Sequence, residues 1–261
     1  SFPHQISPNT LADATKVMAN FNHLLTCVNA IAADIVAIQA DIVAAEASIV
    51  ALQGATPKPN FLINGSMELD QPNEGASVTL PNSGFVQRGP DGWMGFNESS
   101  AVTGTTSLAR VAVTPSGTTK YSLRWTTGTM GTIAIADEGG ISQTVLAKDI
   151  AGIGFGTANA QSLWFSGQIR TSGTNGSFGI SLHNQDRTRS FVHVCTPAAA
   201  NVWATCSFSV PGDTSGTWTS ETDSLYLVVA AYTGTTQQTA TTDSWTAGYK
   251  TSTAAQTQLS A

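Results

Sequence analysis

The first fifty residues of the chain carry apolar residues in two interleaved rows, each with a spacing of seven. The first row consists of Ala14, Phe21, Val28, Ile35, Ile42 and Ile49. The second row, offset by three, consists of Val17, Leu24, Ile31, Ile38, Ala45 and Leu52. This a/d pattern is typical of a supercoiled helical bundle, and at 1.5 Å per residue it predicts a rod of roughly 60 Å. Because an apolar seam is unstable in water, we expect partner helices, and copies of the same chain are the simplest partners.

The residue types at a and d predict how many helices associate. Ile at both positions favours more than two strands, and a trimer is the usual outcome. We therefore predict a homotrimer. Its seam consists of Phe21, Leu24, Val28, Ile31, Ile35, Ile38, Ile42, Ile49 and Leu52. The flanking e and g positions carry acidic residues but no Lys or Arg, so ion pairs do not fix the register. The alternative is a helix that folds back against its own domain.

A second apolar row lies on the outer side of the helix. Val36, Val43 and Val50 occupy b positions, and alanines occupy the neighbouring c positions. An outer apolar stripe on a stalk indicates that another surface packs there. Two interpretations stay open. The stripe is an anchor held in a socket of other proteins or in a second helical layer, or Val and Ala are simply tolerated on a mildly polar surface.

The chain divides into four predicted segments. Residues 1–9 are predicted to form an extended arm, residues 10–54 the coiled-coil stalk, and residues 55–59 a Pro-rich hinge. Residues 60–261 form the head, in which the apolar period falls to two and Gly-rich turns separate the strands. No helical pattern lies between these strands. The sequence therefore predicts a long helix followed by an all-β antiparallel sandwich.

Nine strands of the head can be predicted from this alternation. They are Ser107–Thr114, Lys120–Thr126, Gly131–Ala136, Ile141–Leu146, Gln161–Thr171, Phe178–His183, Ser190–Thr196, Val202–Val210 and Ser224–Tyr232.

Charge argues against two classes of partner. Only 11% of the 261 residues are charged, and the formal net charge is −6 without a basic cluster. We therefore expect no nucleic-acid binding, which needs clustered Lys and Arg. No uninterrupted run of eighteen apolar residues occurs, and acidic residues interrupt the helix, so we expect no membrane insertion. A charged-then-apolar leader is not visible, so export by the general secretory route is not expected.

Three cysteines are present, at positions 27, 195 and 206. Cys195 and Cys206 could face each other across a hairpin that turns near Pro197–Asn201. A disulfide and a pair of buried thiols both stay open. No C-x-x-C pair or His/Cys cluster indicates zinc.

Several stretches resemble bacteriophage proteins. Residues 11–22 (LADATKVMANFN) resemble the opening of many bacteriophage tail-fibre and virion structural proteins. Residues 60–68 (NFLINGSME), followed by Asp91-Gly92-Trp93, are similar to the first strands of phage and bacterial carbohydrate-binding-module-like jelly rolls. Such heads usually close with a last strand after a segment like 245–248. This sequence lacks that strand, so a partner strand or a further C-terminal segment would be needed to cover the sheet edge.

The resemblance implies a virion appendage that is assembled in the host cytoplasm and exposed on the particle surface. Its partners would be other virion proteins (portal or collar, capsid or tail), with jelly-roll heads that are candidates for contact with host-surface polysaccharide. One alternative is a purely structural collar, neck or head-decoration fibre without glycan binding. Another is a secreted bacterial glycan-binding protein.

Sugar binding would use aromatic faces together with polar side chains that bond hydroxyl groups. The candidate glycan-binding residues are Trp125, Trp218, Asn184, Asp186 and Arg187, whereas Trp93, Trp164 and Trp203 are assigned to the core. No nucleophile motif accompanies the four histidines, so we predict that the protein is not an enzyme. We predict no cofactor. The resemblance allows a structural calcium ion at Glu68 and Asp70, and the alternative is a solvated or hydrogen-bonded Glu68.

Overall fold

The computed structural model describes residues 14–55, 60–82, 85–87, 89–99, 102–115, 119–173, 176–218, 224–254 and 256. The chain divides into two compact units, Ser1–Pro59 and Asn60–Ala261. The predicted arm (1–9), the predicted start of the helix (10–13) and most of the predicted hinge (56–59) lie outside the described residues.

The first unit contains one long helix, α1 (Ala14–Ala55). Its sequence is rich in Ala and contains no Pro, and Ala has the highest helix propensity of all residues. The helix ends one residue past Gly54, the last residue of the predicted stalk.

Both the predicted seam and the predicted outer stripe of α1 are exposed. The exposed fraction is 60% for Phe21 and 58% for Ile31 on the seam. It is 65% for both Val36 and Val43 on the outer stripe. The side chains of Ile49, Val50 and Leu52 lie outside the described part of the chain. The helix therefore presents a large apolar surface.

This surface also passes a simple test for a membrane span. The segment Ala14–Glu46 is long and apolar enough to cross a membrane by length and composition alone. Asp34, Asp41 and Glu46 lie within it, at positions that flank the seam.

The second unit consists mainly of short strands. In chain order they are β1 (Val78–Leu80), β2 (Phe85–Gln87), β3 (Trp93–Glu98), β4 (Val102–Thr103), β5 (Thr106–Val111), β6 (Ser122–Thr126), β7 (Thr129–Met130), β8 (Glu138–Val145), β9 (Leu163–Ile169), β10 (Phe178–Asn184), β11 (Arg189–Cys195), β12 (Ala204–Val210), β13 (Leu225–Thr233), β14 (Gln238–Thr239), β15 (Trp245–Ala247) and β16 (Ser252–Thr253). A short helix, α2 (Ala147–Ile150), and two 3-10 turns, Ala151–Ile153 and Thr235–Gln237, complete the described elements.

One predicted strand, Gly131–Ala136, is wrong, and the other eight are confirmed within a few residues. The N–H of Ala134 donates to Asp137 Oδ2 at 3.0 Å, and the N–H of Asp137 donates to the carbonyl of Ala134 at 3.1 Å. Asp137 thus closes a local turn. The backbone N–H groups of Ala134 and Asp137 bond within this turn and are not available to a neighbouring strand.

The strands form one large sheet and several small ones. The large sheet has the order β15-β11-β10-β13-β8-β3-β2, and its pairings are antiparallel. A three-stranded sheet has the order β1-β5-β6, and β9 pairs with β12. β4 pairs with β7, and β14 pairs with β16 in parallel. The chain is therefore a long helix followed by a mostly antiparallel β-sheet domain.

The main core lies between the large sheet and the strands β6, β9 and β12. Ile180, Phe191 and Leu225 of the large sheet pack in one cluster with Phe208 and Val210 of β12. The rings of Phe191 and Phe208 are stacked, with centroids 5.9 Å apart. Burial of each such side chain stabilises the fold by about 1.5–3 kcal/mol.

A disulfide joins the two layers. Cys195 of β11 and Cys206 of β12 are bonded, with Cα atoms 6.0 Å apart. The predicted hairpin between them is wrong, because β11 pairs with β10 and β15, whereas β12 pairs with β9. Cys27 is free and exposed.

The other face of the large sheet is covered by the end of the described chain. Thr251, Ser252 and Gln256 are buried there. Gly179, beside the core residue Ile180, faces this side, and a Cβ at Gly179 would lie 2.3 Å from the carbonyl oxygen of Thr251. Only glycine permits this close approach of two backbones. The sheet edge at β11 is paired with β15.

Candidate ligand-binding cleft

An open cleft interrupts the smaller layer of the β domain. β6 is the outer strand of the three-stranded sheet, and β9 pairs only with β12 among the described strands. Residues of both strands line a cleft of about 1180 Å³. Ile141 and Val229 of the large sheet contribute to its floor. The volume is sufficient for a small molecule or a segment of a polymer.

Aromatic side chains line this cleft. Tyr121, Trp125 and Trp203 are all partly exposed within it. The ring of Trp125 packs 5.9 Å from that of Tyr232. The guanidinium of Arg110 lies 4.3 Å from the Tyr121 ring centroid. Rings held in this way offer rigid apolar faces of the kind that pack against sugar rings.

The charged side chains that line the described cleft are two arginines. Arg124 of β6 is exposed, and Arg170, directly after β9, is partly buried. Arg170 donates a hydrogen bond from Nη2 to Asn201 Oδ1 at 2.8 Å. The Nε–H of Arg170 and the indole N–H of Trp125 are buried and have no acceptor among the described residues. The cleft is therefore rich in donors and carries positive charge.

The tryptophans are distributed differently from the prediction. Trp125, a predicted binding residue, lines the cleft, and Trp93 is buried in the core as expected, with an exposed fraction of 7%. Trp203, assigned to the core, lines the cleft instead. The predicted core position of Trp164 is also wrong, since the exposed fraction of its side chain is 65%. Phe165 packs against the core, so its neighbour on the strand must point away.

Trp218 lies away from the cleft in an aromatic cluster. Its ring packs edge-on against Phe155 at 5.0 Å and Trp245 at 5.6 Å. Its indole N–H donates to Asp213 Oδ2 at 3.1 Å. Asp213 also pairs with Arg189 through two hydrogen bonds of 2.7 and 2.8 Å, and these raise the pKa of Arg189. The indole N–H and parts of the ring of Trp218 thus make internal contacts.

The predicted polar loop lies apart from the cleft as well. Asn184 is buried, and its Oδ1 accepts hydrogen bonds from the backbone N–H groups of Thr188 and Arg189 at 2.9 and 3.0 Å. The guanidinium of Arg187 lies 4.5 Å from the ring centroid of Tyr249. Asp186 is exposed. Asn184 therefore shapes its own turn, and the predicted binding residues do not form one site.

The predicted calcium ligands have other partners or are separated. Asp70 is buried and lies 3.6 Å from Arg110 Nε. It accepts hydrogen bonds from Asn73 and from the backbone of Gly75. Glu68 is exposed. No group of three or more His, Cys, Asp or Glu side chains that could hold a metal ion occurs in the part of the chain that the structure describes.

A buried polar cluster lies at one end of the large sheet. Burial raises the pKa of Glu138 to about 7, and the nearby Glu98 carboxylate acts in the same direction. Burial lowers the pKa of His183 to about 4, and its Nδ1–H donates to the carbonyl of Asn184 at 2.9 Å. The ring of Tyr249 contacts His183 edge-on at 5.0 Å. These groups lie outside the cleft.

Comparisons of the chain with protein-family models, curated proteins and solved structures find no match.

The sequence did not identify Tyr121, Arg124, Arg170 or Trp203 as candidate binding residues. Alternation in residues 121–125 could have placed Tyr121 and Trp125 on one face. β6 lies across the cleft from Arg170 and Trp203 because of the sheet topology, for which the sequence carries no local signal.

Proposed function

We propose that the protein is a homotrimeric structural fibre or spike of a bacteriophage particle, with a helical stalk that joins three jelly-roll heads. The observation that carries this proposal is the exposed double row of apolar residues on α1. Burying each large side chain of the seam is worth about 1.5–3 kcal/mol, so association offsets the cost of an exposed rod. The phage-like stretches at residues 11–22 and 60–68 support the particle context.

The heads would bind glycan on the host surface. The cleft offers Tyr121, Trp125 and Trp203 as ring faces, and Arg124 and Arg170 as hydrogen-bond donors. Three heads on one stalk would act together, so that weak individual sites give strong attachment.

The outer stripe would hold the stalk in the particle. Val36 and Val43 lie on the side of α1 opposite to the seam and are highly exposed. In the heptad register, the acidic and amide residues at e and g separate the two apolar rows. A helix with two separate apolar faces suits simultaneous contact with sister helices and with other virion proteins of the portal, collar, capsid or tail.

A membrane anchor is a second reading of α1, favoured by the length and composition of Ala14–Glu46. The positions of the charges favour the bundle. Asp34 and Asp41 lie at g, and Glu46 lies at e. In a bundle these flanks reach water, whereas an Asp at the bilayer centre costs about 2.5–3.5 kcal/mol.

Two further functions are compatible with the same fold. A collar, neck or head-decoration fibre would use the stalk without glycan binding. A secreted glycan-binding protein is favoured by the bond between Cys195 and Cys206, because disulfides persist mainly in oxidising compartments.

Sedimentation equilibrium of the intact chain and of a shortened chain that begins at Asn60, both without detergent, tests the assembly. We expect a trimer for the intact chain and a monomer for the shortened one. A monomeric intact chain contradicts the stalk, and an intact chain that is soluble only in detergent supports the membrane reading.

A further inference from the structure

Resting on the proposed glycan-binding role of the cleft, we infer that its ligand is an acidic glycan, a pyranose polymer bearing carboxylate or sulfate groups. Arg124 and Arg170 hold the anionic group, and the rings of Tyr121, Trp125 and Trp203 pack against the sugar.

The charge of the cleft is opposite in sign to the net charge of the chain. The whole chain has 17 acidic and 11 basic residues, yet no Asp or Glu is among the described residues that line the cleft, and two arginines are. An acidic protein with an exclusively cationic binding cleft repels anions over most of its surface and attracts them at this place.

The arginines of the cleft differ from the other described arginines in their partners. Arg110 and Arg189 pair with the buried carboxylates of Asp70 and Asp213. Arg187 lies over the ring of Tyr249. These side chains have structural partners within the head.

The two arginines of the cleft have no such carboxylate. The guanidinium of Arg124 makes no hydrogen bond, ion pair or ring contact with the described residues. Arg170 makes one hydrogen bond, to the neutral amide of Asn201, and its Nε–H is buried without an acceptor among the described residues. The guanidinium of Arg170 thus has no carboxylate partner among the described residues. Arg binds carboxylate and sulfate-like groups through paired hydrogen bonds.

Both edges of the cleft carry an arginine and an aromatic residue. On β6, Arg124 and Trp125 are neighbours whose side chains leave opposite faces of the strand, and both line the cleft. On the β9 side, Arg170 is hydrogen-bonded to Asn201, and Trp203 follows Asn201 in the chain. A polymer with an acidic group on each sugar, or on alternate sugars, could contact both sides at once.

The test measures binding of the intact chain to matched acidic and neutral glycans. The probes are polygalacturonate and its methyl ester, chondroitin sulfate and its desulfated methyl ester, and sialyllactose and lactose, with duplex DNA as an unrelated polyanion. The variants are Arg124→Gln, Arg170→Gln and Trp203→Ala. Lys148→Gln is the matched control, because Lys148 is an exposed cation outside the cleft.

We expect at least one acidic probe to bind at least about tenfold more tightly than its neutral partner, and each arginine variant to lose at least about tenfold, as for a hydrogen bond to a charged group. Lys148→Gln should bind as the unaltered chain does. The carboxylate and sulfate probes separate the two sources of charge. Because Arg124 is exposed, its variant reports on the ligand without a folding defect.

Three results would overturn the inference. Equal binding of neutral and acidic partners, unaffected by the arginine variants and lost in Trp203→Ala, rejects the acidic ligand and leaves the glycan role intact. Equal binding of DNA, unaffected by Trp203→Ala, indicates unspecific attraction of polyanions. If no glycan binds, the glycan role fails together with the inference.

Discussion

The hydroxyl of Tyr249 donates a hydrogen bond toward the carboxyl group of Glu138, 3.2 Å from each of its oxygens. Glu138 begins β8, and Tyr249 directly precedes the segment that covers the outer face of the large sheet. The contact therefore fixes the end of the described chain to the sheet through a buried acidic group.

This burial makes stability depend on pH. The pKa of Glu138 rises from 4.5 to about 7 in the folded protein, so the folded state binds the proton more tightly than the unfolded state. The stabilisation is complete below pH 4.5 and is lost as pH rises to 7, about 3 kcal/mol in total. Urea unfolding between pH 4.5 and 8 measures it. Glu138→Gln should remove this loss and make the head more stable than the unaltered protein at pH 8. An unchanged profile would contradict the burial of the charge.

His183 acts in the opposite direction. Its pKa falls from 6.5 to about 4 on folding, so the unfolded state binds the proton more tightly. Its contribution is complete above pH 6.5 and is lost as pH falls to 4, again about 3 kcal/mol. In the unaltered protein the two groups partly cancel between pH 4.5 and 6.5. We predict that Glu138→Gln exposes a steep loss of stability in acid, and that the double variant with His183→Gln flattens it. If acid sensitivity persists in the double variant, His183 is not its source.

Reduction of the disulfide between the two layers should lower the stability of the head. The bond between Cys195 and Cys206 closes a loop with a sequence separation of 11, for which chain entropy predicts about 3 kcal/mol of stabilisation. Urea unfolding with and without dithiothreitol measures the difference, with Cys27→Ser as the control that should unfold as the unaltered chain does. Thiol titration of the denatured, unreduced chain should find one thiol, and a count of three would contradict the pairing.

The acidic residues at positions e and g of α1 predict that a charge reversal stabilises the assembly. In a parallel bundle, a g residue of one helix approaches the e residue five positions later on its neighbour. In the proposed trimer Asp41 would therefore lie beside Glu46 of the neighbouring helix, and like charges would oppose each other three times. Glu46→Lys should raise the stability of the assembly by about 1–3 kcal/mol in total, measured by thermal unfolding at low salt. The double variant Asp41→Lys/Glu46→Lys restores like charges and should lose the gain. A loss of stability in Glu46→Lys alone would contradict the parallel register.

Two tryptophans should differ strongly in their effect on stability. Trp218→Ala removes contacts with Phe155 and Trp245 and the hydrogen bond to Asp213, so we expect a loss of about 3–5 kcal/mol in urea unfolding. Trp164 is largely exposed, and Trp164→Ala should change the stability by less than about 0.5 kcal/mol. Equal losses would show that the environments of the two rings are assigned incorrectly.

The sequence predicted the long helix and eight of the sixteen described strands, because their periods of seven and two are local signals. Two of its failures are local. The Asp137 side chain closes a turn where a strand was predicted, and Trp164 points to the face of β9 opposite to that of the core residue Phe165. The pairing of Cys195 with Cys206 was open from the sequence, since it joins two sheets whose order no local pattern encodes. The same reason explains why Arg124 and Arg170 were not recognised as members of one cleft.

Two neighbouring residues of α1 test whether its a/d seam assembles three chains. Ile35 lies on the seam and Val36 on the outer stripe, so Ile35→Asp and Val36→Asp add the same charge one residue apart. Sedimentation equilibrium should give three times the chain mass of 27.0 kDa for the unaltered protein and for Val36→Asp, and a monomer for Ile35→Asp. A monomeric unaltered protein, or equal dissociation by both substitutions, would contradict the trimeric coiled coil.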